Sequence, residues 1–342
     1  MARTAVVILN WNGLGFLEQF LGRVVECTPP EEAVIWVADN GSSDGSPDWV
    51  RKNFGGVKVI SLEKNYGYAG GYARALEKID AEYYLLLNSD IEVTPGWLQP
   101  MTSYLDENAD AAACQPKILS FSDRSLFEYA GAAGGFIDRY GYPFCRGRIF
   151  DTVERDNGQY DEVTDIFWAS GACLMVRASA YREAGGLDSD FFAHMEEIDL
   201  CWRILNCGYR IVAVPSSVVY HVGGGTLKYD SPAKIYLNFR NNLFMLYKNL
   251  PQDRFRRTLL VRKMLDGLAG LVFLARLKPR CLAAVLKAHI HYYRARKRLR
   301  LQRRELIKKS CSDHRLSGLV MRKSIVYQYY FKGKRRFSDL SF

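Results

Sequence analysis

With 342 residues, 48% of them hydrophobic, the chain exceeds a typical single domain and has the apolar material to bury a core of its own. Its formal net charge of +10 is unevenly spread: residues 251–342 hold 25 Lys and Arg against five Asp and Glu, which leaves residues 1–250 mildly acidic. The eight cysteines form no CxxC pair, which excludes the usual zinc spacing and fits a reduced compartment.

In chain order, apolar runs over 5–9, 33–38, 57–62 and 83–87 predict strands, and helical spacing over 14–26, 46–54 and 69–79 predicts helices between them. The N-terminus enters its first strand with no basic segment ahead of a long apolar one, so no cleaved secretory leader is expected. Strands alternating with helices predict an α/β domain on a mostly parallel sheet, where ligands gather at the carboxyl ends of the strands. Those ends read Asn10-Trp11-Asn12-Gly13, Asp39-Asn40-Gly41-Ser42-Ser43-Asp44, Glu63-Lys64-Asn65-Tyr66-Gly67 and Asn88-Ser89-Asp90, polar and turn-forming at every one. Residues 131–161, rich in Gly, Tyr and Arg, read as hairpins and loops walling the pocket. A strand is expected over 168–176, a helix over 179–184 and another over 194–207, the last opening on Glu196, Glu197 and Asp199, acids suited to a helix N-terminus. From residue 233 the pattern is helical almost throughout, with Pro232, Pro251 and Pro279 as boundaries. The expected division is a catalytic domain over 1–250 and a basic helical extension over 251–342. The apolar stretch 265–277 contains Asp266 and Arg276 and falls short of the roughly 20 residues that span a bilayer.

Asp90 stands at the tip of a buried strand. A hard divalent cation takes one or two carboxylates and completes its shell with phosphate oxygens and water, which such an Asp can support; capping the helix after Pro95 is the competing role. Asp39 can accept hydrogen bonds from a base or ribose, or shape a turn. Gly67, Gly70 and Gly71, followed by Arg74, let backbone approach a nucleotide, although no Walker or dinucleotide fingerprint is present. In Met195-Glu196-Glu197-Ile198-Asp199, crowded acids beside Phe191, Phe192, Leu200 and Trp202 point to burial, which lifts a carboxylate toward the range of a general base. His221 ends an apolar strand ahead of glycines; a lone His is more often structural than a ligand.

Taken in order, Val7-Ile-Leu-Asn-Trp-Asn-Gly13, Val37-Ala-Asp-Asn-Gly-Ser-Ser-Asp-Gly45, Asn65-Tyr-Gly-Tyr-Ala-Gly-Gly71, Leu86-Leu-Asn-Ser-Asp90, Ser170-Gly-Ala172, Glu196-Glu-Ile-Asp-Leu200 with Arg203, and Tyr220-His221 resemble the motifs of bacterial family 2 glycosyltransferases, especially the rhamnosyltransferase-like group, over about residues 4–250. That resemblance implies a GT-A, Rossmann-like domain that binds a nucleotide sugar. By it, Asp39 contacts the base, and Leu9, Asn10, Asn12, Asn65, Gly70, Arg74, Asn88 and Ser89 line the nucleotide pocket. Asp90 and His221 hold Mg2+ or Mn2+ on the diphosphate. Glu197 is the catalytic base, oriented by Glu196 and Arg203, while Trp168 and Gly171 face the acceptor. The chain departs from the family pattern at Asn88 and Glu196-Glu197, where Asp and Glu-Asp are usual, and at Tyr72, where many relatives carry Asn. The implied reaction is inverting transfer from dTDP-rhamnose or a UDP-sugar to a saccharide or lipid-linked acceptor in cell-surface polysaccharide synthesis.

Two rivals fit less well. A sugar-phosphate nucleotidyltransferase needs a basic glycine-rich loop after its first strand, and residues 10–15 hold no Lys or Arg. A nucleic-acid binder would use the basic tail, yet its charges interleave with Leu, Val, Ile and Tyr at helical spacing and the body is acidic. The tail is expected instead to dock, through the run from Arg294 to Arg304 and the apolar stretch before it, on the anionic inner face of the cytoplasmic membrane.

Overall fold

The N-terminal apolar runs form four parallel strands, β1 (Thr4–Asn10), β2 (Ala33–Asp39), β3 (Lys58–Ser61) and β4 (Tyr83–Asn88), in a computed structural model that describes residues 3–129, 131–223, 231–309, 316 and 318–342. The register sets Asn10 beside Asp39, Asp39 beside Ser61 and Leu9 beside Asn88, so the polar strand ends line up on one edge. The crossovers are α1 (Leu14–Glu26), α2 (Ser46–Asn53) and α3 (Gly67–Leu76). Buried Leu17, Phe20, Leu21 and Val24 recur every three or four residues, which gives α1 a single face to press on the sheet. Helix α3 begins two residues earlier than the pattern predicts, at Gly67, whose φ of +74° is open to glycine and whose amide donates to Asn65 Oδ1 at 2.8 Å.

After β4 the chain runs through β5 (Ile91–Val93), α4 (Gln99–Glu107) and β6 (Ala111–Ser120), then a short antiparallel meander, β7 (Gly135–Asp138), β8 (Pro143–Cys145), β9 (Arg148–Ile149) and β10 (Thr152–Val153). Next come β11 (Thr164–Asp165), β12 (Cys173–Arg177), α5 (Ala178–Glu183), α6 (Glu196–Asn206) and β13 (Arg210–His221). The main sheet has the order β11-β13-β6-β12-β4-β1-β2-β3, with β5 paired to the end of β13. The strand expected from Trp168 starts only at Cys173, because residues 170–173 form a turn closed by the Cys173 amide on the Ser170 carbonyl at 3.1 Å. The helix expected from His194 starts at Glu196, because His194 and Met195 take left-handed φ of +69° and +71°.

Three helices follow, α7 (Pro232–Asn249), α8 (Phe255–Ala275) and α9 (Pro279–Lys309); Pro232 and Pro279 open α7 and α9, and Pro251 follows the end of α7, all at boundaries as expected. The helical pattern then gives way to β14 (Val320–Met321), which pairs in parallel with β7, and α10 (Ile325–Tyr330). The core has two layers. Val6, Ile8, Leu85 and Leu87 pack with α1 and α4 on one face of the sheet, and Val7, Tyr84 and Leu86 with α3, α6 and α7 on the other, as alternation along a strand dictates. Coverage of both faces is why these strands read as continuous apolar runs. Tyr292 and Leu299 of α9, Met321 and Ile325 belong to the second layer, so residues beyond 250 share a core with the sheet.

Candidate active site

At the carboxyl edge, the loops after β1 and β2 interlock. Asn10 Nδ2 donates to Ser46 Oγ at 2.7 Å and to Asp39 Oδ1 at 3.4 Å, and Asp39 Oδ2 accepts the Ser42 amide at 3.2 Å, so Asp39 does shape the turn. Asn12 Oδ1 accepts from the Ser43 amide at 2.8 Å, which ties the two loops together. Asn10 Oδ1 is buried and unpartnered among the described residues, leaving an acceptor in the pocket. Asn65 accepts from Asn40 Nδ2 at 3.1 Å, and Arg74 bonds the Gly70 carbonyl while its guanidinium lies 3.8 Å from the Tyr66 ring centroid. Gly71 is small for a reason: a Cβ there would come within 2.7 Å of Leu9. Tyr72 is fully buried, its hydroxyl donating to the Leu87 carbonyl at 3.0 Å and accepting from the Leu9 amide, a structural link between α3 and the two central strands.

Pairing of β5 with β13 brings His221 beside Asp90: Nε2 lies 3.1 Å from Asp90 Oδ1 and 3.5 Å from Asn88 Nδ2. Two neighbouring ligands of an octahedral ion with bonds of about 2.1 Å stand roughly 3 Å apart, so this spacing suits a shared divalent cation. Among the described residues no set of three His, Cys, Asp or Glu is arranged to hold an ion, so Asp90 and His221 are the side chains that would hold one here. On the far side of the ring, His221 Nδ1 lies 3.3 Å from Glu128, a carboxylate that sequence reasoning missed. Burial alone would lower the imidazole, but Asp90 and Glu128 outweigh it and raise it to about 10 without a cation.

The acid pair sits at the first turn of α6. Glu196 and Glu197 each keep one buried Oε2 without a partner among the described residues. Burial, then the charge of Glu197, pushes Glu196 well above the usual carboxylate range. Burial raises Glu197 to about 7, opposed by backbone amides at residues 195, 197 and 198. The loop ahead of them is held in an unfavourable shape, with positive φ at Phe192, His194 and Met195. Two α7 residues brace it: Asn241 Nδ2 donates to the carbonyls of Phe191, Ala193 and His194 at 2.7–2.9 Å, and Arg240 to those of Asp190 and Phe191. The loop also seats on α3, through the Ala69 amide to the Phe192 carbonyl at 3.1 Å. Tyr68, whose hydroxyl bonds the Gly171 carbonyl, lies within electrostatic reach of both glutamates. Lys234, on the first turn of α7, lies within electrostatic reach of Glu128 and of His194 and adds positive charge beside the site.

Two assignments are corrected. Arg203 does not orient the pair; it bonds Asp199 at 2.9 Å and the Ala184 carbonyl inside the core, where Lys248 and Asn249 also hold Asp199. Trp168 does not face an acceptor; it is 4% exposed, its indole packs against Gly135, and its N–H donates to the Phe136 carbonyl at 3.0 Å. Gly171 packs against Tyr68, where a Cβ would meet the hydroxyl at 2.8 Å. Trp11, in the loop after β1, and Phe192, in the loop before α6, are 47% and 43% exposed. A groove of about 620 Å³ elsewhere, lined by Asp138, Trp202, Arg254 and Arg322 among others, holds none of the expected site residues.

The model of the glycosyl transferase family 2 matches residues 5–184. The N-acetylglucosaminyl-diphospho-decaprenol L-rhamnosyltransferase of Mycobacterium tuberculosis is 28% identical over 232 residues, 63% of this chain and 75% of that protein. Rhamnosyltransferase WbbL of Escherichia coli is 27% identical over 177 residues, 51% of this chain and 64% of that one. Among solved structures, the mannosyltransferase PcManGT from Pyrobaculum calidifontis in complex with GDP-Man and Mn2+ superposes with a TM-score of 0.53 at 15% identity, covering 90% of this chain and 85% of that one. GalNAc-T7 with UDP, GalNAc and Mn2+ gives 0.56 at 18%, covering 72% and 48%. A mixed sheet whose parallel strands β1 to β4 carry polar loops on one edge, an acid pair at the start of α6 and a family model spanning more than half of the chain lead to one assignment: the protein is a family 2 glycosyltransferase with a GT-A fold.

Proposed function

We propose that the enzyme transfers a sugar, with inversion, from a nucleoside-diphosphate donor to a hydroxyl of a saccharide or lipid-linked acceptor in cell-surface polysaccharide synthesis. The observation that carries the reading is the buried pair Glu196–Glu197, each with an unmatched oxygen, next to the loops that bear the strand ends. Glu197 takes the proton from the acceptor hydroxyl as its oxygen bonds the anomeric carbon and the bond to the diphosphate breaks; a single displacement inverts that carbon. Glu196, held higher by its burial and its neighbour, keeps its proton and leaves Glu197 as the base. Asp39, Asn10 and the loop from Asn65 to Arg74 bind the nucleotide, and Tyr68 with Gly171 borders the acceptor side. Asp90 and His221 hold Mg2+ or Mn2+, which when bound offsets the negative charge developing on the leaving diphosphate. Lys234 adds to that field.

The names of the two rhamnosyltransferase relatives support rhamnose as the sugar transferred, and the first of them supports a diphosphate-lipid as the acceptor; the donor proposed is dTDP-rhamnose. Residues 1–250 then make the catalytic unit, and residues 251–342 attach it to the inner face of the cytoplasmic membrane. The test is a panel of dTDP-, UDP- and GDP-sugars with Mg2+ or Mn2+, read by release of the nucleoside diphosphate and by labelled acceptor. dTDP-rhamnose is expected to turn over fastest. Pyrophosphate release from a nucleoside triphosphate and sugar phosphate, with no transfer from any donor, would overturn the reading in favour of a nucleotidyltransferase.

A further inference from the structure

Helix α8 turns an apolar stripe outward. Leu260, Met264, Leu268 and Leu271 are each more than half exposed, at spacings of four, four and three that share one helix face, and Leu274 extends the stripe to about 20 Å at 1.5 Å per residue. Leu277, 89% exposed in the turn, and Leu286 and Ile290 on α9 carry the apolar surface onto the second helix of the hairpin. Contiguous exposed apolar surface of this kind marks a place of contact, unlike scattered single residues.

The charges around it have one sign. Between residues 254 and 304 the chain has a single acid, Asp266, which is fully buried with Arg262 at 2.7 Å and His289 at 3.2 Å. Arg256 and Arg257 at the start of α8, and Arg276, Lys278, Arg280 and Lys287 at and beyond its end, are exposed.

We propose that the α8–α9 hairpin lies in the plane of an anionic phospholipid surface, with the leucine stripe at the acyl boundary and the basic rim on the headgroups. An anionic bilayer satisfies both features at once. A second copy of this chain would set like charges against like, and a nucleic acid would leave the stripe in water. Among the described residues no helix is long and apolar enough to cross a membrane, which leaves the in-plane arrangement. The structure also moves the docking surface away from the basic run expected to form it. In that run Leu299 is fully buried, Arg303 donates to the Tyr247 carbonyl at 3.1 Å, and Arg298 pairs with Asp190 at 2.9 Å, so the run ties α9 to the body. Asp190 belongs to the segment that leads to the acid pair, so a docked hairpin holds the active site in a set orientation over the surface. That purpose rests on the reading of a lipid-linked acceptor; the docking itself is tested without it.

The full chain is sedimented with vesicles of phosphatidylcholine alone and of an equal mixture of phosphatidylcholine and phosphatidylglycerol. Binding to the mixture only, weakened by salt, is expected. Leu268→Glu with Leu271→Glu should lower binding roughly tenfold or more, with unchanged circular dichroism and unchanged donor turnover in vesicle-free solution. Neutralising Arg256, Arg257 or Lys278 to Gln should lower it about fivefold each. Equal binding to both vesicles, or full binding by the double Glu variant, overturns the proposal. So does a wild-type dimer that the double variant splits while neither binds vesicles, since the face would then join two copies. Loss of the transferase reading would show instead as absent donor turnover with vesicle binding intact.

Discussion

The cleft and the α8–α9 hairpin treat their buried acids in opposite ways. In the cleft, Asn10, Glu196 and Glu197 keep buried oxygens with no partner among the described residues, whereas in the hairpin the buried carboxylate of Asp266 is met by both Arg262 and His289, and leucines face outward. An unmatched buried carboxylate and an exposed apolar stripe are both unfavourable, and at the cleft and the hairpin each is the feature that the proposed substrates and the proposed docking surface would cover. The contrast holds within one helix too. Asp199, two residues beyond Glu197, is saturated by Arg203, Lys248 and Asn249, and serves the fold.

The largest expected effect breaks the polar side of this comparison. Asp90→Ala removes the carboxylate beside His221 and should abolish transfer with the fold intact, and EDTA should do the same to the parent enzyme, reversed by added Mn2+. Full activity of the variant in EDTA would remove the cation from the account. Next comes Asp199→Ala, which strands buried Arg203 without its anion and leaves Lys248 with Asp188 alone, and should destabilise the protein by about 3–5 kcal/mol, read as a lowered urea midpoint. A loss near zero would mean Asp199 is not the structural acid. The gentlest probe is pH. Glu197 works as a carboxylate and burial holds it at about 7, so kcat/KM should fall about tenfold per unit below pH 7 and level off above it. The same raised value means that the folded state keeps a proton the unfolded chain releases near 4.5. Its contribution to stability is therefore full below 4.5 and is lost as pH rises through 7. A profile flat from pH 5 to 8 would contradict the assignment.

Much of the fold was legible because β1 to β4 are covered on both faces and their turns carry Asn, Asp and Gly, so strand ends and helix starts fell within a residue or two. The acids of α6 announced a helix N-terminus, but not that His194 and Met195 would adopt left-handed backbone; Asn241, 47 residues after His194, braces that shape. Glu128 reaches His221 across 93 residues through β6, β13 and the loop beside them, with no spacing to betray it. Arg203 was readable in part: it stands four residues after Asp199, where ion pairs form on a helix, and that local rule outweighed the resemblance. Trp168 misled because an aromatic before Ser170-Gly171 suggests a pocket, whereas the bare backbone of Gly135 provided a slot in the core. The outward stripe was visible as an apolar stretch, but only the packing of α9 on α7 shows which face is left free.

The most direct test of the central claim is turnover of Glu197→Gln with donor affinity measured alongside, since Gln keeps the size and hydrogen bonding of Glu but cannot take the acceptor proton. The account predicts unchanged donor binding and turnover lower by roughly 100-fold or more. Retained turnover in Glu197→Gln, with the loss appearing in Glu196→Gln instead, would contradict it and move the base one residue back.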